Sequence, residues 1–190
     1  MDYTVNLDGD PIAPISSLPF TALGGQPAFD RTGLDRFLAA NRIAVMSYIR
    51  KDGRPNQAPL WYAYRDGVML FAVSTGSAKH NALLRDARVC VSVQDERPPY
   101  RAVMIDGTVE LVDIGSDGTF SSEMATRYFG KLGANEYEKM SKADRESTGQ
   151  TLIRLIPSEV KGFDNTKAIG AALLGFARIR NRLPIPRQWI

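Results

Sequence analysis

Two Asp-Gly pairs, Asp52-Gly53 and Asp66-Gly67, punctuate three short β-rich segments and constrain the fold more than any other feature of the chain. Asp-Gly is a preferred turn sequence where a hairpin requires positive φ, so the strands it joins run antiparallel. The segments 43–49, 59–64 and 68–73 therefore read as a meander. Further strands are expected at 88–93, at 101–112 with a bend or bulge at Asp106-Gly107, and at 151–156, where Pro157 stops the run. Helices are expected at 34–40 with Thr32 as N-cap, at 78–85 capped by Ser77, at 117–132 and 135–145, and at 167–178 before Pro184 and Pro186. Most of this order lacks βαβ alternation, which argues against a doubly wound parallel sheet. The expected fold is mainly β (α+β): a six-stranded antiparallel barrel or strongly bent sheet with flanking helices, whose closure removes exposed strand edges.

At 190 residues the chain is long enough for one substantial core. Three regions are expected: an extended arm over 1–30, the barrel over 31–166, and a basic helix and tail over 167–190. The arm holds Asp2, Asp8, Asp10 and Asp30 and no Lys or Arg. Residues 161–190 carry six Lys or Arg against Asp164 alone. That basic tail reads as a surface docking on its own domain or on a partner subunit. Trp189 is its only aromatic after Phe176, so the interleaved platform of a single-strand nucleic-acid binder is missing. The longest apolar run, 168–177, is about half a membrane span, and no secretory leader pattern opens the chain. A single cysteine, Cys90, excludes an internal disulfide and fits a reducing, cytoplasmic setting.

Side-chain catalysis has little to work with. No Gly-x-Gly-x-x-Gly, Walker A or Gly-x-Ser-x-Gly motif is present. His80, the sole histidine, reads as a surface residue on a first helical turn, and Cys90 as a buried strand thiol. The absence points to borrowed cofactor chemistry. Two segments suit it. Ser74-Thr75-Gly76-Ser77-Ala78-Lys79 follows a strand and opens a helix, where Thr75, Ser77 and Lys79 could hold a phosphate; a capped helix with an incidental exposed lysine is the other reading. Gln57-Ala58-Pro59-Leu60-Trp61-Tyr62 is either an edge strand with aromatic core residues or a platform for a flat heterocycle. Together they would suit a flavin-like mononucleotide.

These pieces, with Asp52-Gly53-Arg54-Pro55, Arg85-Asp86-Ala87-Arg88-Val89, Pro99-Tyr100-Arg101 and Asp106-Gly107-Thr108, resemble the pyridoxamine-phosphate-oxidase-like superfamily of split β-barrel, FMN-binding-type flavoproteins over roughly residues 33–160. Within it the chain is most similar to the flavin/deazaflavin oxidoreductases of the B group, many of which use coenzyme F420. The resemblance implies a homodimer with cofactor sites at the interface. The phosphate would lie on Ser77 and Lys79 with Ser74 and Thr75 nearby, the ring along Gln57, Ala58, Pro59, Leu60 and Trp61, and Arg101 or a strand neighbour would reach in from the other subunit. Ala78 stands where the FMN-dependent oxidases have an arginine, and Gln57 and Tyr62 stand where they have basic residues. F420 is thus the expected cofactor and FMN the alternative. The implied activity is hydride transfer between the deazaflavin and a small unsaturated or heteroaromatic substrate, with Tyr62, Tyr64, Tyr100 or water as proton donor. The alternatives are an FMN-dependent oxidase or reductase, and a non-catalytic flavin or haem carrier with His80 as haem ligand.

Overall fold

The computed structural model describes residues 11–166, 168 and 170–182. Its elements run β1 (Phe20–Ala22), α1 (Arg31–Ala39), β2 (Ala44–Ile49), β3 (Pro55–Leu60), β4 (Ala63–Arg65), β5 (Val68–Ser74), α2 (Ala78–Arg85), β6 (Arg88–Gln94), β7 (Arg101–Gly115), α3 (Thr119–Thr148), β8 (Gln150–Asp164) and α4 (Ala171–Arg182). The strands form one sheet in the order β3-β2-β6-β7-β8-β5-β4, all antiparallel, with β1 added parallel to β8. The two ends of that sheet, β3 and β4, are consecutive in the chain and joined only by Trp61 and Tyr62. So short a link spans about 10 Å. The sheet must therefore curl until its edges nearly meet, which makes a barrel split at Trp61-Tyr62.

Eight strands replace the expected six. The segment 59–64 is not one strand: β3 ends at Leu60, and β4 turns away to pair with β5. The break falls where Tyr62 turns its ring fully into the core. The expected meander is accordingly two hairpins at opposite ends of the sheet. The short β1 is the other addition. Pro157 does not end the last strand, because it falls opposite Gly107 at a register shift of the β7–β8 ladder, where a missing N–H is tolerated. The bulge expected at Asp106-Gly107 is there.

The helices also differ in detail. Asp30, rather than Thr32, caps α1, its carboxylate accepting from Gly33 N–H at 2.7 Å. Ser77 caps α2 as expected. The two helices expected over 117–145 are the arms of α3, broken at Gly130 (φ 73°). Asp2, Asp8, Asp10, Lys167, Pro184, Pro186, Arg187 and Trp189 lie outside the described residues.

Alternation along β5 creates two cores. Met69, Phe71 and Val73 face the barrel interior with Met46, Ile105, Ile153 and Val160, closed at one end by Leu34, Phe37 and Leu38 of α1. Ile15 and Phe29, from the segment before α1, are buried in the same cluster. Leu70 faces outward and is buried with Ala63 and Leu152 beneath Phe120 and Met124 of α3. A strand covered on both faces carries the near-continuous apolar run seen at 68–73. Among the described residues no helix is long and apolar enough to cross a membrane.

Candidate functional site

The outer face of β5 and β8, the barrel split and α3 enclose a cavity of about 450 Å³. Pro59, Leu60 and Trp61 line it from the split, Ala72 and Gln150 from the sheet, and Phe120, Ser121, Met124 and Tyr137 from α3. Three of the five residues expected along a ring thus come together. Gln57 and Ala58 do not join them: Gln57 is exposed and donates to Ser47 Oγ at 3.2 Å, while Ala58 packs against the barrel core. Trp61 is less open than a bare platform, because Tyr128 stacks on it with centroids 5.1 Å apart. Phe129 and Tyr137 meet the same indole at 5.1 Å each.

The helix opening lies at one end of this arrangement. Ser74 pairs with Gln150 across the β5–β8 ladder, so the cup and the cavity share a wall. Several of the expected donors are spent within the turn. Thr75 N–H donates to Gly149 O, Gly76 N–H to His80 Nδ1, and Ser77 N–H to Ser74 O. The Thr75 and Thr151 hydroxyls bond each other at 2.9 Å. Ser77 Oγ accepts the His80 N–H as the helix cap, which leaves its own hydrogen free to donate. The first-turn amides of Ala78 and Lys79 precede the helix's own hydrogen bonding. Lys79 is half-buried and has no acidic partner among the described residues. Burial alone pushes its ammonium below the ordinary lysine value of 10.5.

Arg101 is elsewhere. It lines a second cavity of about 820 Å³ with Arg42, Gln94 and Tyr128, which shares Ile43 and Pro59 with the first. Its Nε donates to Asp95 Oδ2 at 2.6 Å, and Arg42 Nε donates to the other oxygen at 2.8 Å. Both guanidiniums lie over the Phe37 ring, at 4.0 Å for Arg42 and 5.0 Å for Arg101.

None of the tyrosines expected as proton donors lines the first cavity. Tyr62 donates to Leu38 O at 2.9 Å, and burial pushes its phenol up to about 12. Tyr64 is tied to Asp35, and its phenol is raised by burial and by that carboxylate. Tyr100 is half-exposed and lines neither cavity. Tyr137 is the tyrosine that lines the first cavity. His80 lines neither cavity. Cys90, expected to be buried, is only partly so, on the alternate face of β6 from Val89 and Val91, and burial and the neighbouring Asp106 push its thiol up to about 11.

Phe120, Ser121, Met124, Tyr137 and Gln150 were not among the expected site residues. The four-residue spacing of Phe120, Met124 and Tyr128 is the signal that an apolar stripe faces something, but it does not say what.

A family model described as pyridoxamine 5'-phosphate oxidase matches residues 32–164. Among solved structures, an F420 reductase is 24% identical with a TM-score of 0.56, the match covering 66% of this chain and 94% of that one. The conserved hypothetical protein Rv2991 from Mycobacterium tuberculosis is 20% identical with a TM-score of 0.60, over 78% of this chain and 97% of that one. The protein Atu2129, of unknown function, from Agrobacterium tumefaciens str. C58 is 16% identical with a TM-score of 0.53, over 73% and 57%. No curated protein matches. At these identities the structures establish a shared fold. The family match takes in the cup, the barrel split, α3 and all of β8, and the chain belongs to the pyridoxamine 5'-phosphate oxidase family.

Proposed function

We propose that the protein is an oxidoreductase that holds a phosphorylated flavin-type cofactor between the α2 cup and the cavity under α3. F420 is the preferred cofactor and FMN the alternative. The observation that carries this reading is Lys79, a half-buried cation without a counter-ion among the described residues, beside a cavity of ligand size with aromatic walls. A bound phosphate would offset the cost of desolvating that ammonium, with Ser77 and the first-turn amides completing its contacts. F420 is preferred because Ala78 supplies no second cation and Gln57 is neutral.

When bound, the cofactor supplies the hydride chemistry. The chain's own residues bind, orient and exclude water. Lys79 and Ser77 anchor the charged end. Pro59, Leu60 and Trp61 flank the ring, and Phe120 and Met124 shield it from solvent. Tyr137 is placed to give a proton to a reduced substrate, which is a small unsaturated or heteroaromatic compound in this reading. The functional unit is a cytoplasmic homodimer, with the Arg101 cavity facing the partner's cofactor.

The test is a fluorescence titration with F420 and FMN side by side on wild type and Lys79→Ala. Wild type should bind F420 more tightly than FMN, and Lys79→Ala should weaken both by roughly tenfold or more, the worth of one charged hydrogen bond. Unchanged affinity in Lys79→Ala removes the phosphate assignment. Tight FMN with weak F420 moves the protein to the alternative. Binding without reduction of any acceptor makes it a carrier.

A further inference from the structure

We infer that Gln150, held in place by Ser121, binds the polyol segment that joins the phosphate to the ring of the cofactor. This rests on the reading above and adds a residue to it.

Gln150 stands where the two halves of the site meet. Its Cα pairs with Ser74 of the cup, and its side chain lines the cavity. The register fixes its direction. Leu152, two residues on, is fully buried beneath α3 opposite Ala72, so Gln150 projects to that same outer face. Backbone contacts hold the position, since Gly149 O accepts the Thr75 N–H at 3.1 Å.

Its polar groups are set in one orientation. Ser121, which is 7% exposed, donates its hydroxyl to Gln150 Oε1 at 2.8 Å. That bond occupies the amide oxygen and leaves both amide hydrogens to donate, and none of them has a partner among the described residues. Ser121 Oγ retains acceptor capacity beside it. A neutral donor and acceptor side by side match secondary hydroxyls, which each donate and accept. They do not match a phosphate, which favours the cation at Lys79, and the polar edge of a ring, which they could also bond, is assigned elsewhere by their place next to the cup, beside Ser74. The sequence of charged cup, neutral amide pair and aromatic walls follows the order phosphate, polyol and ring. F420 and FMN share that five-carbon chain, so the assignment does not depend on which is bound.

The test titrates three ligands by fluorescence in both flavin and deazaflavin forms: the ring alone, ring plus ribityl chain, and ring plus chain plus phosphate. Lumichrome, riboflavin and FMN are the flavin set. Gln150→Leu should weaken riboflavin and FMN by about tenfold and leave lumichrome unchanged. Ser121→Ala should do the same to a smaller extent, because it frees the amide without removing it. Lys79→Ala should affect only the phosphorylated ligand. Melting curves check folding, and Gln150→Met, equal in length, serves if the leucine variant is unstable. Riboflavin bound equally by wild type and the folded variant overturns the assignment while leaving the cofactor reading intact. Equal losses for all three ligands overturn it as well, by showing a structural role. Wild type binding none of the ligands removes the cofactor reading and this assignment together.

Discussion

Trp61 and Tyr128 stack at a centroid separation of 5.1 Å with their planes 10° apart, and this pair fastens α3 to the split of the barrel. Tyr128 adds two polar ties, its hydroxyl donating to Arg42 O at 2.7 Å and accepting the Tyr62 N–H at 3.2 Å. One side chain thus holds both the link between the sheet's ends, at Tyr62, and the chain entering β2, at Arg42.

Tyr128→Phe keeps the stack and loses both hydrogen bonds, one of them from a backbone amide, so it should cost about 1–2 kcal/mol. Tyr128→Ala also removes the ring and should cost at least about 2 kcal/mol more. Urea unfolding of the two variants measures the difference. Equal midpoints would mean that the stack contributes nothing.

Lys79 sets a pH dependence whose sign follows from its depressed ammonium. In the free protein the folded state binds fewer protons than the unfolded chain between the lowered value and 10.5. Stability conferred at this site therefore rises with pH across that window, as the desolvation penalty is relieved. Binding of a phosphate needs the charged form, so affinity should fall as pH rises through the same window. Isothermal titration should show that fall below pH 10.5 in wild type, and a flat profile over the same range in Lys79→Arg, whose guanidinium stays charged. A wild-type profile without the fall would show that the ammonium does not contact the ligand.

Gly107 is required by close approach. A Cβ there would lie 2.2 Å from Ile156 O, a backbone atom that cannot yield without opening the bulge. Gly107→Ala should destabilise by about 2–4 kcal/mol. Gly53, at φ 79° with open space around it, provides the contrast: Gly53→Ala should cost only about 1–2 kcal/mol of backbone strain. Thermal unfolding of the two variants should rank them in that order.

The proton donor can be assigned by two conservative changes. Tyr62→Phe should lower stability by about 1–2 kcal/mol through the lost bond to Leu38 O and leave turnover unchanged. Tyr137→Phe should leave stability within about 0.5 kcal/mol and lower kcat by roughly 100-fold, the lower end of general-acid contributions. An acceptor-reduction assay on both variants tests the pair, and unchanged kcat in Tyr137→Phe would assign the proton to water.

Much of the framework was legible in local residue patterns. The Ser77 cap, the Asp106-Gly107 bulge and the strands 43–49, 68–73, 88–93 and 101–112 are each specified by a few adjacent residues. Pro157 misled because proline ends a strand only where its N–H is needed, and the bulge partner Gly107 removes that need. The segment 59–64 misled because an unbroken β-rich run does not show that Tyr62 turns inward and splits it. Of the candidate site, the cup lies in one stretch of chain and could be read there. The spent donors of Thr75 could not, because their partners are supplied by Gly149 at the end of α3 and Thr151 of β8.

By itself the sequence determined most of the strand-forming stretches, where the hairpin turns lie and which helix opening carries a lysine in its first turn, because turn chemistry, capping and alternation act within a few residues. Only the tertiary structure decided that β5 pairs with β8, that α3 covers the outer face, and that Trp61, Tyr137, Ser121 and Gln150 surround one cavity. Those partners lie tens of residues apart, and their meeting depends on two separate apolar faces, inside and outside the barrel, each finding its cover. An apolar stripe states that it must be buried; it carries no label for what will bury it.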